Sequence, residues 1–197
     1  MSEGELVRSV SFDTSFLLKD NLLVNNVIKI LSQDHIPCFI TTTVISELEQ
    51  LKIWGRITSN DWKKAYKRIK NVKAEIIDFK NRFLSNEFGK TCIESMEKHH
   101  GVSAENIRND CNILVSTLKN GIDIFISEDF HFTSKITREV IQDISHAACN
   151  EYSQMCDTHL YLVDTRTFLE AYENGKININ IVLSRMKTIR KKGKRLR

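Results

Sequence analysis

Between Ile122 and Phe132 the chain reads IDIFISEDFHF, an apolar run that stops at Ser127, Glu128 and Asp129. A short apolar run bounded by turn signals is the signature of a strand buried on both faces. Its polar end then lies at the carboxyl edge of a sheet, where open α/β folds bind their ligands. Three further acids fall at comparable positions: Asp13 follows an apolar stretch from Leu6 to Phe12, Glu47 lies early in a helix after a second short strand from Cys38 to Thr42, and Asp110 sits on the helix leading into Ile122. Four carboxylates converging on one sheet edge make a site for a hard cation, because carboxylate oxygens suit Mg²⁺ and Mn²⁺, and the cluster lacks the His or Cys partners zinc prefers.

The remaining pattern predicts strand and helix in alternation. A helix opens at Asn21 or Asn25, and another at Thr42 or Thr43 with the sequence VISELEQLKIW. A long amphipathic helix is predicted from Ser59 to about Leu84, and shorter ones from Lys90 to His100, stopped by Gly101, and from Ala104 to Lys119, capped by Ser103 and ended by Asn120 and Gly121. Beyond the organising strand, a helix from Thr133 to about Met155, a strand from Thr158 to Val163, a helix from Thr165 to Tyr172 closed by Asn174 and Gly175, and a last helix from Ile177 to Ile189 are predicted. Strand–helix–strand order implies parallel pairs joined by right-handed crossovers, hence a three-layer α/β/α sandwich around a mainly parallel sheet. The chain of 197 residues, 41% apolar, suits one domain over residues 1–176 followed by a C-terminal helix and basic tail over 177–197.

Projection of the helices singles out two of the acids. Around the helix from Val44, the inward arc holds Val44, Leu48 and Leu51 with Trp54 at its edge. Glu47 falls between Leu51 and Trp54, while Glu49 points away. On the helix from Ala104, Asp110 sits beside Leu114 on the arc of Ile107, Cys111, Leu114 and Leu118. An unpaired carboxylate on such a face is costly, and it either neutralises or binds a cation.

Charge is divided along the chain. The net charge is +4, yet residues 185–197, RMKTIRKKGKRLR, hold eight Lys and Arg and no acid, which leaves the rest of the chain at −4. That tail, with Arg190, Lys191, Lys192, Lys194 and Arg195, and the basic stretch Lys63, Lys64, Lys67 and Arg68 suit a polyanion such as RNA, since each phosphate contact releases counterions. The five cysteines form no CxxC pair and are odd in number, which argues against a zinc cluster and a disulfide framework and for buried thiols in a reducing cytoplasm. No apolar run approaches a membrane span, and the first residues lack a signal-peptide pattern, so a cytoplasmic protein is expected. His99, His100 and His146 have no spaced partner and are read as structural, and Asp164 is a weaker additional acid at a strand end.

Three stretches carry a family resemblance: DTSFLL at Asp13, TTTVISELEQL around Glu47, and NDCNILVSTLKNGIDIFISEDFHF from Asn109. Together they resemble PIN-domain ribonucleases, which include the toxins of toxin–antitoxin pairs and RNA-processing nucleases. The resemblance runs from residue 6 to about 170. It implies that Asp13, Glu47, Asp110 and Asp129 ligate one or two Mg²⁺ or Mn²⁺ ions for endonucleolytic RNA hydrolysis, with the hydroxyls of Ser15 and Ser127 assisting. It also implies a homodimer, and an antitoxin or RNA-processing partner. His131 departs from the family, standing where many relatives carry another Asp or Asn. The alternative is a non-catalytic member of the same fold serving as an RNA-binding or assembly module. A haloacid-dehalogenase-like phosphatase would need a second Asp at Ser15, and a response-regulator receiver an acidic pair at Ser11 and Phe12.

Overall fold

The computed structural model describes residues 4–77, 87–101, 103–156 and 159–185. Its centre is a five-stranded parallel sheet of order β4-β3-β2-β5-β6, formed by β2 (Val10–Phe12), β3 (Cys38–Thr41), β4 (Glu75–Ile77), β5 (Ile124–Ile126) and β6 (Tyr161–Val163). Val10, Ser11 and Phe12 are fully buried, as are Ile124, Phe125 and Ile126, so the two middle strands are covered on both faces, with Ser11 the one polar side chain among them. Helices α1 (Thr14–Leu18), α2 (Leu22–Gln33), α3 (Thr42–Ile53) and α4 (Ser59–Asn71) group together, with α9 (Thr165–Ala171) against α2. Helix α5 (Glu87–His100) packs on both α6 (Ala104–Lys119) and α8 (Lys135–Glu151). The three-layer α/β/α architecture is the expected one.

Strand order decides where a ligand can sit. From β2 the chain builds outward through β3 and β4, then crosses back to place β5 on the other side of β2 and continues to β6. The reversal falls between β2 and β5, and the crevice at such a switch point is where open α/β sheets bind. Register fixes the level: Phe12 lies opposite Ile126, and Ile126 opposite Val163. The residues that follow, Asp13, Ser127 and Asp164, therefore emerge at one height, held by Asp13 N–H to Ile126 C=O at 3.2 Å and Ser127 N–H to Val163 C=O at 3.0 Å.

Several expectations are corrected. The first strand is divided: β1 (Glu5–Leu6) leaves the main sheet and joins β7 (Tyr172–Glu173) and β8 (Lys176–Ile177) in a small antiparallel sheet. Between β1 and β2 the N–H groups of Arg8 and Ser9 donate to Asp123 Oδ2 at 2.8 and 3.1 Å, a side chain standing where a neighbouring strand would be. Asn174 and Gly175, with φ of 50° and 79°, form the turn of the β7–β8 hairpin rather than a helix end. The long helix predicted from Ser59 ends at Asn71. Lys73 adopts φ 51° and Ala74 N–H reaches back to Ile69 C=O at 3.1 Å, a Schellman-type stop without glycine, after which β4 pairs with β3. Residues 78–84 of that predicted helix lie outside the described residues. The predicted helix from Thr133 begins instead as a short α7 (Phe130–Thr133) and restarts at Ser134, whose hydroxyl caps α8. The last helix runs over 179–185, and the remainder of its predicted span lies outside the described residues.

Four side chains also differ from their reading. Cys149 and Cys156 form a disulfide, while Cys38, Cys92 and Cys111 are the buried thiols expected. Trp54, placed at the edge of an inward arc, is 61% exposed with the Arg56 guanidinium 5.2 Å from its ring. Glu49 does not face solvent alone: it accepts from Tyr66 Oη–H at 2.7 Å and Trp62 Nε1–H at 3.2 Å and so ties α3 to α4.

Arg68 is 6% exposed and turned inward. Its Nη1 donates to the carbonyls of Leu17 and Lys19 at 2.7 and 2.8 Å, and its Nη2 to Asn25 Oδ1 at 3.2 Å. It closes the end of α1 and, apart from the exposed Asp20 carboxylate 3.6 Å from its Nη2, turns away from the surface, unlike its exposed neighbours Lys63 and Lys67. Replacing Arg68 with Met keeps the stem but strands those carbonyl acceptors, and the expected loss is about 2 kcal/mol in chemical denaturation. An unchanged midpoint would show that Arg68 is not the clasp described.

Candidate metal centre

Strand ends become helix starts at this edge, and the acids do the capping. Asp13 is the N-cap of α1, accepting from Ser15 N–H, and Asp129 is the N-cap of α7, accepting from His131 N–H at 2.8 Å. Asp164 repeats the device at the end of β6, taking Thr167 N–H at 2.6 Å to start α9. A carboxylate in this position is oriented by the backbone.

Asp13 is the most enclosed acid, 4% exposed. Its Oδ2 accepts from the hydroxyls of both Ser15, at 3.0 Å, and Ser127. Burial pushes its pKa up to about 6 even though those hydroxyls and the Ser15 N–H pull it down, and the charge of Glu47 adds to the rise. Ser127 also accepts the Asp129 N–H at 2.9 Å, and Ser15 Oγ accepts the Glu128 N–H at 2.9 Å. The two serines therefore knit the β2 end to the β5 end, so Ser127 links Asp13 and Asp129 through one oxygen.

Glu47 reaches the edge from the second turn of α3. Its Oε2 accepts from Thr14 Oγ1 at 2.6 Å and its Oε1 from Asn109 Nδ2 at 2.9 Å. Asp110, on α6, is different: burial pushes its pKa up to about 7, the charges of Glu47, Asp129 and Asp13 add to the rise, and no hydrogen bond offsets them. Glu47, Asp129 and Asp13 thus lie near enough for their charges to act on Asp110, the one acid of the four whose negative charge lacks a protein counterpart among its influences. Glu128, beside them, is turned to structural use. Burial raises its pKa, but the Lys19 ammonium and the hydroxyl and N–H of Thr165 together hold it below the usual carboxylate range.

The donor set is all oxygen and strongly anionic, which fits a hard divalent cation. As arranged here Asp13, Glu47 and Asp129 are turned to protein donors, and among the described residues no group of three His, Cys, Asp or Glu side chains is placed to hold a metal ion. Asp13, Asp110 and Asp129 keep lone pairs for a cation, while each Glu47 oxygen already accepts a hydrogen bond.

Thr14 and Asn109 are partners that the sequence reading did not single out. The available signal was adjacency, since each directly precedes or follows an acid of the set, as Asp13–Thr14 and Asn109–Asp110. His131 stacks on His100, with ring centroids 5.3 Å apart, beside Asp129, and His100 Nε2 meets Thr137 Oγ1 at 3.1 Å. Of the basic candidates, Lys63 and Lys67 are exposed, Lys64 pairs with Asp20 at 2.6 Å, and Arg190, Lys191, Lys192, Lys194 and Arg195 lie outside the described residues.

The raised carboxyls have a consequence for stability. Asp13 at about 6 and Asp110 at about 7 bind protons more tightly in the folded chain than at their ordinary 3.8, so between pH 4 and 7 the folded state carries more protons and stability falls as pH rises. In chelator at pH 8, Asp110→Asn is expected to be more stable than the parent by on the order of 2 kcal/mol, and the difference to close by pH 4. Thermal melts across that range check it, and a pH-independent difference would contradict the uncompensated charge.

The family model described as PIN domain matches residues 10–141, which span β2 through the first part of α8 and include all four acids. A comparison with curated protein sequences finds no match. Among solved structures, the chain is similar to VapBC2 from Rickettsia felis bound to a DNA fragment from their promoter, with 14% identity, a TM-score of 0.48, and coverage of 79% of this chain and 99% of that one. On the family match over two thirds of its length, the chain belongs to the PIN-domain family.

Proposed function

We propose that the chain is a Mg²⁺- or Mn²⁺-dependent endoribonuclease acting at the edge between β2 and β5. The observation that carries this is the charge of Glu47, Asp129 and Asp13, from three other segments, acting on the half-buried Asp110. Asp13, Asp110 and Asp129 would hold the ion directly. Glu47, with both oxygens engaged by Thr14 and Asn109, is suited to act through water or to help activate the nucleophile. When bound, a divalent ion supplies charge neutralisation for the phosphodiester and acidifies the attacking water.

The chain's own residues supply orientation and the first attraction to RNA. Ser127 and Ser15 fix the Asp13 carboxylate, and the His131 N–H fixes one oxygen of Asp129. Because the four acids repel a polyanion, RNA is gathered elsewhere: the exposed Lys63 and Lys67 and the basic residues Arg190 to Arg195 are the proposed contacts.

An end-labelled, unstructured RNA incubated with the protein is expected to be cut in Mn²⁺ or Mg²⁺, to stay intact in EDTA, and to stay intact with Asp110→Asn. Equal RNA binding by both proteins with no cleavage in any metal would put the non-catalytic binding module in its place. Ser127→Ala, which frees both Asp13 and Asp129 from their shared hydroxyl, is expected to lower cleavage about 10–100-fold without abolishing it. Single-turnover rates measure the difference, and a parental rate would remove Ser127 from the positioning role.

A further inference from the structure

His146, Cys149, Cys156 and His159 stand in the sequence as His-x2-Cys-x6-Cys-x2-His, and nothing in the carboxylate centre uses them. His146 and Cys149 are three residues apart on α8 and so share a face near its carboxyl end. The chain leaves α8 at Tyr152 and turns through a 3-10 segment, Ser153–Met155. Cys156 then lies beside Cys149, with Cα atoms 4.4 Å apart and the sulfurs bonded. His159 follows three residues later, just ahead of β6. All four side chains line one cleft of about 490 Å³.

A disulfide alone accounts for the two sulfurs and leaves the histidines unexplained. Each cysteine has an imidazole three residues away on its outer side, and both imidazoles open into the cleft that the sulfurs line. His146 Nδ1 lies 3.3 Å from Asn150 Nδ2, one turn further along α8, so the ring is held by a neighbour on its own helix. The remaining cysteines, Cys38, Cys92 and Cys111, are free thiols, and Cys156 is exposed to a reductant.

We propose that in the reduced chain Cys149, Cys156, His146 and His159 form a tetrahedral Zn²⁺ site that clasps the end of α8 to the start of β6. Two thiolates and two imidazoles are the soft and borderline donors zinc selects, in contrast to the oxygen donors of the carboxylate centre. A thiol or phosphine reductant breaks the S–S bond, delivering two electrons, and two protons complete the two thiols. Zn²⁺ then displaces those two protons, and the Zn(Cys)₂(His)₂ unit carries no net charge, which suits a cleft also walled by Ile141, Leu160 and Val182. In the oxidised form the sulfurs are spent on each other, and among the described residues no metal-holding set remains.

The test uses the full chain, reduced with a phosphine, stripped of metal and titrated anaerobically with Co²⁺ as the spectroscopic probe. Intense visible bands of tetrahedral Co²⁺ and a near-ultraviolet sulfur-to-cobalt band are expected to saturate at a single equivalent, to be displaced by Zn²⁺, and to be absent in the oxidised protein. Asp110→Asn is expected to leave them intact, and the double substitution C149S/C156S to remove them. His146→Ala and His159→Ala, each checked for native circular dichroism, should weaken Co²⁺ binding by at least an order of magnitude. The proposal is overturned if the reduced parent shows no sulfur-to-cobalt band, or if the band survives C149S/C156S, which would move it to Cys92 and Cys111. It is likewise overturned if the two histidine variants bind Co²⁺ like the parent, a result that stands even if the cysteine variant fails to fold.

Discussion

Negative charge that has been taken out of water governs the carboxyl edge of this sheet. A carboxylate leaving water loses solvation worth several kcal/mol unless protein groups or a cation replace it. Asp13 recovers part of that loss from two hydroxyls and a backbone N–H, and Glu47 from a hydroxyl and an amide. Asp110 recovers none from hydrogen bonds and faces three other acids. The placement of Thr14, Ser15, Asn109 and Ser127 becomes intelligible as a response to this charge, each polar group holding one carboxylate in a fixed direction.

Such an arrangement needs a rigid support, and the middle strands supply it. Phe12 stacks on Phe16 with ring centroids 5.0 Å apart, and Phe125 meets Phe132 edge-on at 5.1 Å, so the apolar residues just behind the acids form one packed block. Burial of each such ring contributes on the order of 2 kcal/mol. The electrostatic cost of the site is thereby set against a core that tolerates it. The all-oxygen donor set is the kind that suits a hard divalent cation, the counter-charge proposed for it.

The parts of this fold legible in the sequence are those in which local and tertiary signals agree. The buried strand from Ile124 and its terminal acids could be read because a doubly covered strand is an uninterrupted apolar run and its polar end marks the edge. Glu47 and Asp110 could be read because helical projection put them on apolar arcs. The break between β1 and β2 was hidden, since it depends on Asp123, more than a hundred residues away, capping Arg8 and Ser9. Edge strand β4 was hidden because its two isoleucines, Ile76 and Ile77, fit the preceding helical period as well as a strand, and the stop at Lys73 lacks a glycine. Arg68 looks in sequence like its lysine neighbours, and only the carbonyls at the end of α1 distinguish it. The Cys149–Cys156 pairing required the turn after α8, which the continuous helical pattern concealed.

The account stands most directly on whether one cation answers all four acids, and Mn²⁺ binding followed by electron paramagnetic resonance at pH 8 measures that without reference to any substrate. The prediction is that the parent takes up Mn²⁺ and that Asp13→Asn, Asp110→Asn and Asp129→Asn each weaken binding by at least an order of magnitude, with Glu47→Gln weakening it less. Mn²⁺ bound equally by the parent and the Asp110 variant would contradict it.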